Sequence, residues 1–412
     1  TTDIILATIT EAINAVPVDN GNVVASFKSI LVKSGEYAET VSIPATKKVA
    51  LVGERGGRVK LVGGALNVPV ISVAGTSVVE GLVISRPQAA IQAGTVSSSG
   101  IHVYNPYQKA RISNCIITHQ GTYGIHNYAE PYGNWNGGEV EIEHCTASSN
   151  KLAEIYSYVA NRASIKSSIL WGSGSSVGFG YHSNYFGMPN LAGNIVKGGT
   201  SGGWNIDPVL TLAGKLSAGS PARDAASNSE SAQDIDGESR PAGAARDIGA
   251  DEWVDSDFDG LADVWEMQWF STLSSNGQSD DQDGLSLEQE ALYGTNPLSA
   301  DTDQDGALDG AEITAATNPF LSDTDFDGIK DGYELQSGLN PFVNDTLLDK
   351  DGDGIPNQWE YAKGTLAGDK LSFSPDWIVD PTNAAASTTD IILATITEAI
   401  NAVPVDNGNV VA

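Results

Sequence analysis

Acidic side chains recur at fixed intervals between Asp251 and Glu360 of this 412-residue chain. Asp255, Asp257, Asp259, Asp263 and Glu266 occupy positions 1, 3, 5, 9 and 12 of a stretch with Gly260 at position 6. The same positions are filled by Asp301, Asp303, Asp305, Asp309 and Glu312 around Gly306, and by Asp323, Asp325, Asp327, Asp331 and Glu334 around Gly328. Asp349, Asp351, Asp353, Asn357 and Glu360 make a fourth complete set around Gly354. A weaker copy has Ser279, Asp281, Asp283, Gly284 and Glu290, with Leu287 where position 9 should supply an oxygen. Oxygens spaced in this way around a glycine turn can wrap one calcium ion, which takes six to eight of them. The backbone carbonyl at position 7 completes each set, here from Leu261, Leu285, Ala307, Ile329 and Ile355.

The loop starts are separated by 24, 22, 22 and 26 residues, so the loops form an internal repeat. From Asp251 to Glu360 there are 27 acidic residues against Lys330 and Lys350, a net −25 out of −30 for the whole chain. Such a block excludes nucleic acid as a partner and repels itself unless cations neutralise it. The regular spacing favours bound calcium over a solvated acidic tail. A short helical stretch follows each loop and ends in a turn, as at Thr295-Asn296-Pro297, Thr317-Asn318-Pro319 and Leu339-Asn340-Pro341. These stretches are too short for the paired helices of a calcium sensor. The pattern resembles the bacterial thrombospondin type 3 repeat, with its Asp-x-Asp-x-Asp-Gly core and Thr-Asn-Pro spacer, over residues 254–365. No cysteine lies in this stretch, so metal must take the place of disulfides as the staple. The resemblance implies a calcium-stiffened spacer that folds only when loaded, with a calcium switch as the alternative.

The elements ahead of the loops are of another kind. Forty-five glycines and two methionines suit a loop-rich, repetitive β protein. Short β-branched runs align in one frame: Val79-Glu-Gly-Leu82-Val-Ile84, Ile112-Ser-Asn-Cys115-Ile-Ile117, Ile142-Glu-His-Cys145-Thr-Ala147 and Ile165-Lys-Ser-Ser168-Ile-Leu170. Stacking these runs gives columns Val79/Ile112/Ile142/Ile165 and Leu82/Cys115/Cys145/Ser168, in which each turn covers the apolar edge of the last. The stretch Ile30–Ile43 followed by Val49–Gly53 resembles the opening rungs of secreted right-handed parallel β-helix proteins of the pectin-active superfamily. The amphipathic stretch Ile9–Val16 resembles their N-terminal cap helix, and Asp207–Glu252 the closing segment of bacterial members. The expected fold is therefore mainly β: a right-handed parallel β-helix over residues 1–253, then the calcium-loop repeats with short helices.

Catalysis is not expected. Polysaccharide-cleaving β-helices work with carboxylates, mostly Asp, yet no Asp occurs from Asn20 through Ile206. Glu139, Glu141 and Glu143 alternate along a strand and read as its solvated face. The five His residues show no metal or triad spacing. Cys115 and Cys145 share a frame position on successive rungs, about 4.8 Å apart by strand spacing, which allows either a disulfide or a stack of free thiols. The aromatic stretches Tyr123–Trp135 and Trp171–Phe186 could stack on glycans, touch another subunit, or pack on the coil.

Residues 388–412 repeat residues 1–25 without one difference. A linker, 366–387, separates the copy from the repeats, so 388–412 reads as the start of a next module. No run of 18 apolar residues marks a membrane span, and the opening Thr1-Thr2-Asp3 implies that any export leader has been removed. The combined expectation is an exported, extracellular or cell-surface structural protein of bacterial type that associates with itself head to tail into a filament. A carbohydrate-binding adhesin is the alternative, and a polysaccharide lyase or hydrolase the weaker one.

Overall fold

The computed structural model of the chain describes residues 6–18, 27–55, 58–63, 67–86, 98–104, 109–128, 139–157, 163–172, 175–179, 191–198, 203–211, 213–226, 231–273, 281–372, 377–379 and 391–393. Two compact units follow one another, Thr1–Ala300 and Asp301–Ala412. No helix among the described residues is long and apolar enough to cross a membrane.

The first unit is a parallel β-helix. One sheet stacks Lys28–Val32, Val49–Gly53, Ser77–Glu80, Lys109–Ser113, Glu139–Glu143 and Ala163–Lys166, each strand parallel to the next. A second stacks Gly35–Tyr37, Val59–Val62, Val83–Ser85, Ile116–Thr118, Thr146–Ser148, Ile169–Trp171 and Ile195–Val196. The third holds Val41–Ile43, Ile71–Val73, Ile101–Tyr104, Tyr123–Tyr128, Ala153–Ser157 and Ser175–Phe179. The chain visits the three sheets in turn, so every rung lays like residue over like. The pairing Val79↔Ile112↔Ile142↔Ile165 is the column read from the sequence, extended downward by Leu51 and Ile30. Ile84, Ile117, Ala147 and Leu170 make a second inner column, and Val41, Ile71, Ile101, Ile125 and Ile155 a third. All of these except half-covered Ile30 are buried. The corner between the first and second sheets bends through a left-handed residue on four successive rungs: Gly81, Asn114, His144 and Ser167. Glycine takes that conformation without steric cost, whereas Asn, His and Ser must be held there by their surroundings.

Helix α1 (Ile9–Ala15) closes the first rung. Thr8 and Glu11 form its capping box, and Ile9 and Ile13 enter the coil core. Glu39 accepts from the amides of Ile9 and Thr10 at 2.9 and 3.1 Å, while Lys47 Nζ donates to the carbonyls of Ile13 and Asn14 at 2.7 and 2.9 Å. A carboxylate thus meets the positive end of the helix and an ammonium the negative end.

The closing segment lies along the outer face of the second sheet. Ile235 and Ala250 cover Ile116, and Leu216, Ala222 and Ile248 cover Ile169 and Ile195. A buried Arg240–Glu252 pair, 2.9 Å apart, fixes this segment, and Arg240 also donates to the Gly249 carbonyl at 2.9 Å.

Cys115 and Cys145 are both buried and are not joined. Cys115 Sγ donates to the Ser113 carbonyl at 3.2 Å and Cys145 Sγ to the Glu143 carbonyl at 3.5 Å. Burial pushes the Cys115 thiol well above the usual range, so it stays protonated.

Among the described residues, five helices of seven residues each follow the coil: α2 (Asp263–Trp269), α3 (Leu287–Tyr293), α4 (Asp309–Ala315), α5 (Asp331–Ser337) and α6 (Asn357–Lys363). Within the second unit a small core gathers Ile329, Leu339 and Ala367 against Tyr333 and Tyr361.

Ile112 sits mid-column and fully buried, so Ile112→Ala should destabilise the coil by about 2–5 kcal/mol in denaturant unfolding. The outward Lys109→Ala should change it by less than about 0.5 kcal/mol.

Candidate metal centre

The acidic loops, numbered 1 to 5 in chain order (255–266, 279–290, 301–312, 323–334 and 349–360), fold their own backbone with part of their carboxylate oxygens. In loop 3, Asp301 accepts from the amides of Gln304 and Gly306 at 2.7 and 3.0 Å, and Asp303 from Asp305 at 3.2 Å. The Asp305 carboxylate takes the Ala307 amide at 2.7 Å. The pattern recurs in loop 4, where Asp323 holds Gly328, Asp325 holds Asp327 and Asp327 holds Ile329. Loop 5 repeats it with Asp349 on Gly352 and Gly354, Asp351 on Asp353, and Asp353 on Ile355. In loop 1, Asp255 takes Phe258 and Gly260, and Asp259 takes Leu261.

Two backbone positions bend through left-handed conformations in every loop. Position 6 is glycine throughout, with φ from 95 to 105° at Gly260, Gly284, Gly306, Gly328 and Gly354. Position 4 is less well served: Phe258, Gln282, Gln304 and Phe326 have φ of 61–70°, and only loop 5 places glycine there, Gly352.

The position 9 side chain reaches back to position 2. Asp263 accepts from the Ser256 amide and hydroxyl at 2.7 and 2.5 Å, Asp309 from Thr302 at 2.8 and 2.6 Å, and Asp331 from Thr324 at 2.8 and 2.5 Å. In loop 5 the pair is Lys350 and Asn357, joined at 3.0 Å. Position 9 also begins the helix, so this clamp fixes where the helix starts. The signal for it was present in the sequence: a hydroxyl residue seven places ahead of each Asp. Loop 2 lacks it because Leu287 stands at position 9, and α3 is capped instead by Ser286 and Gln289. Ser279 of that loop lies outside the described residues; Asp281, Asp283 and Glu290 have oxygens within 4.8 Å of one another.

The remaining oxygens converge. Asp255, Asp257 and Asp259 bring ligand atoms within 4.8 Å of each other, and so do Asp301, Asp303 and Asp305. Position 12, one turn into each helix, puts Glu266, Glu312, Glu334 and Glu360 at 0% exposure. Both oxygens of Glu266, Glu334 and Glu360 are buried without a hydrogen-bond partner, as are Glu312 Oε2, Asp303 Oδ2, Asp325 Oδ2 and Asp351 Oδ2. Orphaned carboxylate oxygens are costly unless a cation takes them. An all-oxygen set with buried Glu at position 12 and mixed carboxylates elsewhere fits a calcium ion, and no softer metal.

Without a cation these groups bind protons more tightly than free carboxyls do. Burial, then repulsion from neighbouring aspartates, pushes Glu312 and Glu334 up to about 9. The same causes raise Glu266 and Glu360 to about 7 and Asp303 and Asp325 to about 6.

The Bacterial TSP3 repeat family matches residues 280–300, 301–322 and 323–343, the second, third and fourth loops with their helices. Calcium-binding repeats of this family therefore occupy 280–343, and they point to an extracellular protein. No curated protein matches the chain. Among solved structures, a pectin methylesterase from carrot is 16% identical over 40% of this chain, with a TM-score of 0.27. The chain spans 59% of that enzyme's length. The pectate lyase Pel9A is 13% identical over 60% of this chain and 90% of its own, with a TM-score of 0.25.

Metal-free loops should be pH-sensitive in a definite direction. Glu312 and Glu334 bind protons more tightly folded, at about 9, than in a free chain, at 4.5. Their contribution to folding is complete below pH 4.5 and is lost as pH rises through 9. In chelator, the helical circular-dichroism signal should fall between about pH 5 and 9; added calcium should restore it at the alkaline end.

Proposed function

We propose that this chain is a module of an extracellular fibre, in which β-helices alternate with calcium-stiffened spacers. The observation that carries this reading is the recurrence of the capping segment. Every residue that α1 uses on the first rung has an identical counterpart 387 places later: Thr8 in Thr395, Ile9 in Ile396, Glu11 in Glu398, and Ile13 in Ile400. Those counterparts lie outside the described residues, but their partners, Glu39 and Lys47, are in place. A second copy of the segment can therefore cap the first rung of a following module with the same contacts. Head-to-tail contacts of this kind continue into filaments unless they close into a ring. Upstream of it, Trp377–Val379 pairs in parallel with Ile391–Leu393, the opening residues of the repeated segment.

Calcium supports the extracellular half of the reading. Extracellular calcium modules typically bind at about 10⁻⁴–10⁻³ M, which suits loops as acidic as these. The coil itself is read as non-catalytic. Glu154 has a pKa raised to about 7, but it is fully buried and tied to Asn150. Glu141 and Glu143 are paired on the surface with Lys109 and Arg111 at 2.5 and 2.9 Å.

A glycan-binding role is the second reading, favoured by an aromatic ladder on the outer face of the third sheet. His102 stacks on His126 at 4.7 Å, Tyr104 on Tyr128 at 5.5 Å, and Tyr123 on Tyr156 at 4.7 Å. Trp135 and Phe186 lie outside the described residues.

Electron microscopy of the purified protein in calcium tests the fibre directly. Filaments are expected, and a Glu39→Gln, Lys47→Met variant should shorten them several-fold while its coil stays folded. Single particles of one module at every calcium concentration would refute the fibre. Glycan-array binding lost on Tyr128→Ala would favour the second reading.

A further inference from the structure

Loop 3 draws its own ligand set from Asp301, Asp303, Asp305 and Glu312, but a further carboxylate reaches it from the repeat that follows. Asp331, the first residue of α5, brings an oxygen within 4.8 Å of ligand oxygens of both Asp305 and Glu312. Glu312 and Asp331 are fully buried, and Asp305 is nearly so. Glu312 Oε2 has no hydrogen-bond partner. Three buried carboxylates sharing one space, one with an orphaned oxygen, mark where a cation must sit.

The backbone holds this arrangement closely. Asp305 Oδ2 accepts from the Gly332 amide at 2.8 Å, and Lys330 Nζ donates to the Gln304 carbonyl at 3.0 Å. Gly332 leaves no space for a side chain, because a Cβ there would come 2.4 Å from Ala307 N and 2.6 Å from Gly306 C. The first turn of α5 therefore rests directly on loop 3.

We propose that Asp331 serves two loops at once, clamping Thr324 in loop 4 while giving an oxygen to the calcium of loop 3. A carboxylate has about four lone-pair sites, so accepting from Thr324 does not exhaust it. Loop 3 then fills tightly only when the next repeat is folded against it, and loading propagates from repeat to repeat. The inference rests on calcium occupying loop 3.

Loop 5 supplies the control variant. Asn357 stands where loop 4 has Asp331, and its Oδ1 still accepts the position 2 amide, from Lys350, at 3.0 Å. Asp331→Asn should therefore keep the clamp and remove the charge. The full chain, isotopically labelled at glycine, would be titrated with calcium chloride while the Gly306 and Gly328 amides report loops 3 and 4. In Asp331→Asn the calcium needed at Gly306 should rise about tenfold, as expected for a lost charged ligand, and by more than any change at Gly328. Gly332→Ala, which pries α5 from loop 3, should move Gly306 in the same direction. A shift confined to Gly328, or no shift in either variant, overturns the assignment of Asp331 to loop 3. A wild-type Gly306 that ignores calcium overturns that assignment and the calcium reading together.

Discussion

Like charges buried in one place are the constraint on which the second half of this molecule depends. Each loop uses some oxygens of its aspartates to fix the backbone and turns the rest, with a fully buried Glu, toward a common point. Charged carboxylates in such a place are strongly unfavourable unless protonated or joined by a cation. The helices that follow are seven residues long, too short to persist in water by themselves. Their start is set by the clamp from position 9 to position 2, and their first turn carries the position 12 Glu. On the calcium reading, loop, helix and cation form one unit of folding. Packing between repeats rests on that unit: Tyr333 OH donates to the Thr365 carbonyl at 2.7 Å, and its oxygen accepts the Ala367 amide at 3.0 Å.

The coil obeys a different logic. Its stability comes from apolar columns that repeat from rung to rung, with each rung covering the one before. Such a stack needs something at its first rung, and α1 meets the need with two buried isoleucines and with Glu39 and Lys47 at its two ends. On the proposed reading, an identical copy of that cap elsewhere in the sequence offers a means of joining modules.

Much of this was legible in the sequence because both halves repeat. Val79, Ile112, Ile142 and Ile165 could be aligned by eye, since parallel stacking places like residues over like. The loops could be found because calcium demands oxygens at set positions around a glycine. Contacts made across the chain could not be found that way. Nothing local in Ile235, Ile248 or Ala250 says that they cover the outer face of the second sheet. The frame put Cys115 and Cys145 on adjacent rungs but left open where each sulfur points, and each points to a carbonyl. Asp331 looked like a ligand of its own loop; its approach to Asp305 and Glu312 appears only once α5 is packed on loop 3.

The central claim is that the acidic repeats fold around calcium, and counting bound ions tests it most directly. Protein dialysed to equilibrium against calcium buffer would be analysed for metal, then again after chelator, with the helical signal followed in parallel. Four or more calcium ions per chain, lost together with the helices in chelator at alkaline pH, is the expected result. Fewer than one ion per chain, or helices that persist unchanged at alkaline pH without metal, would contradict it.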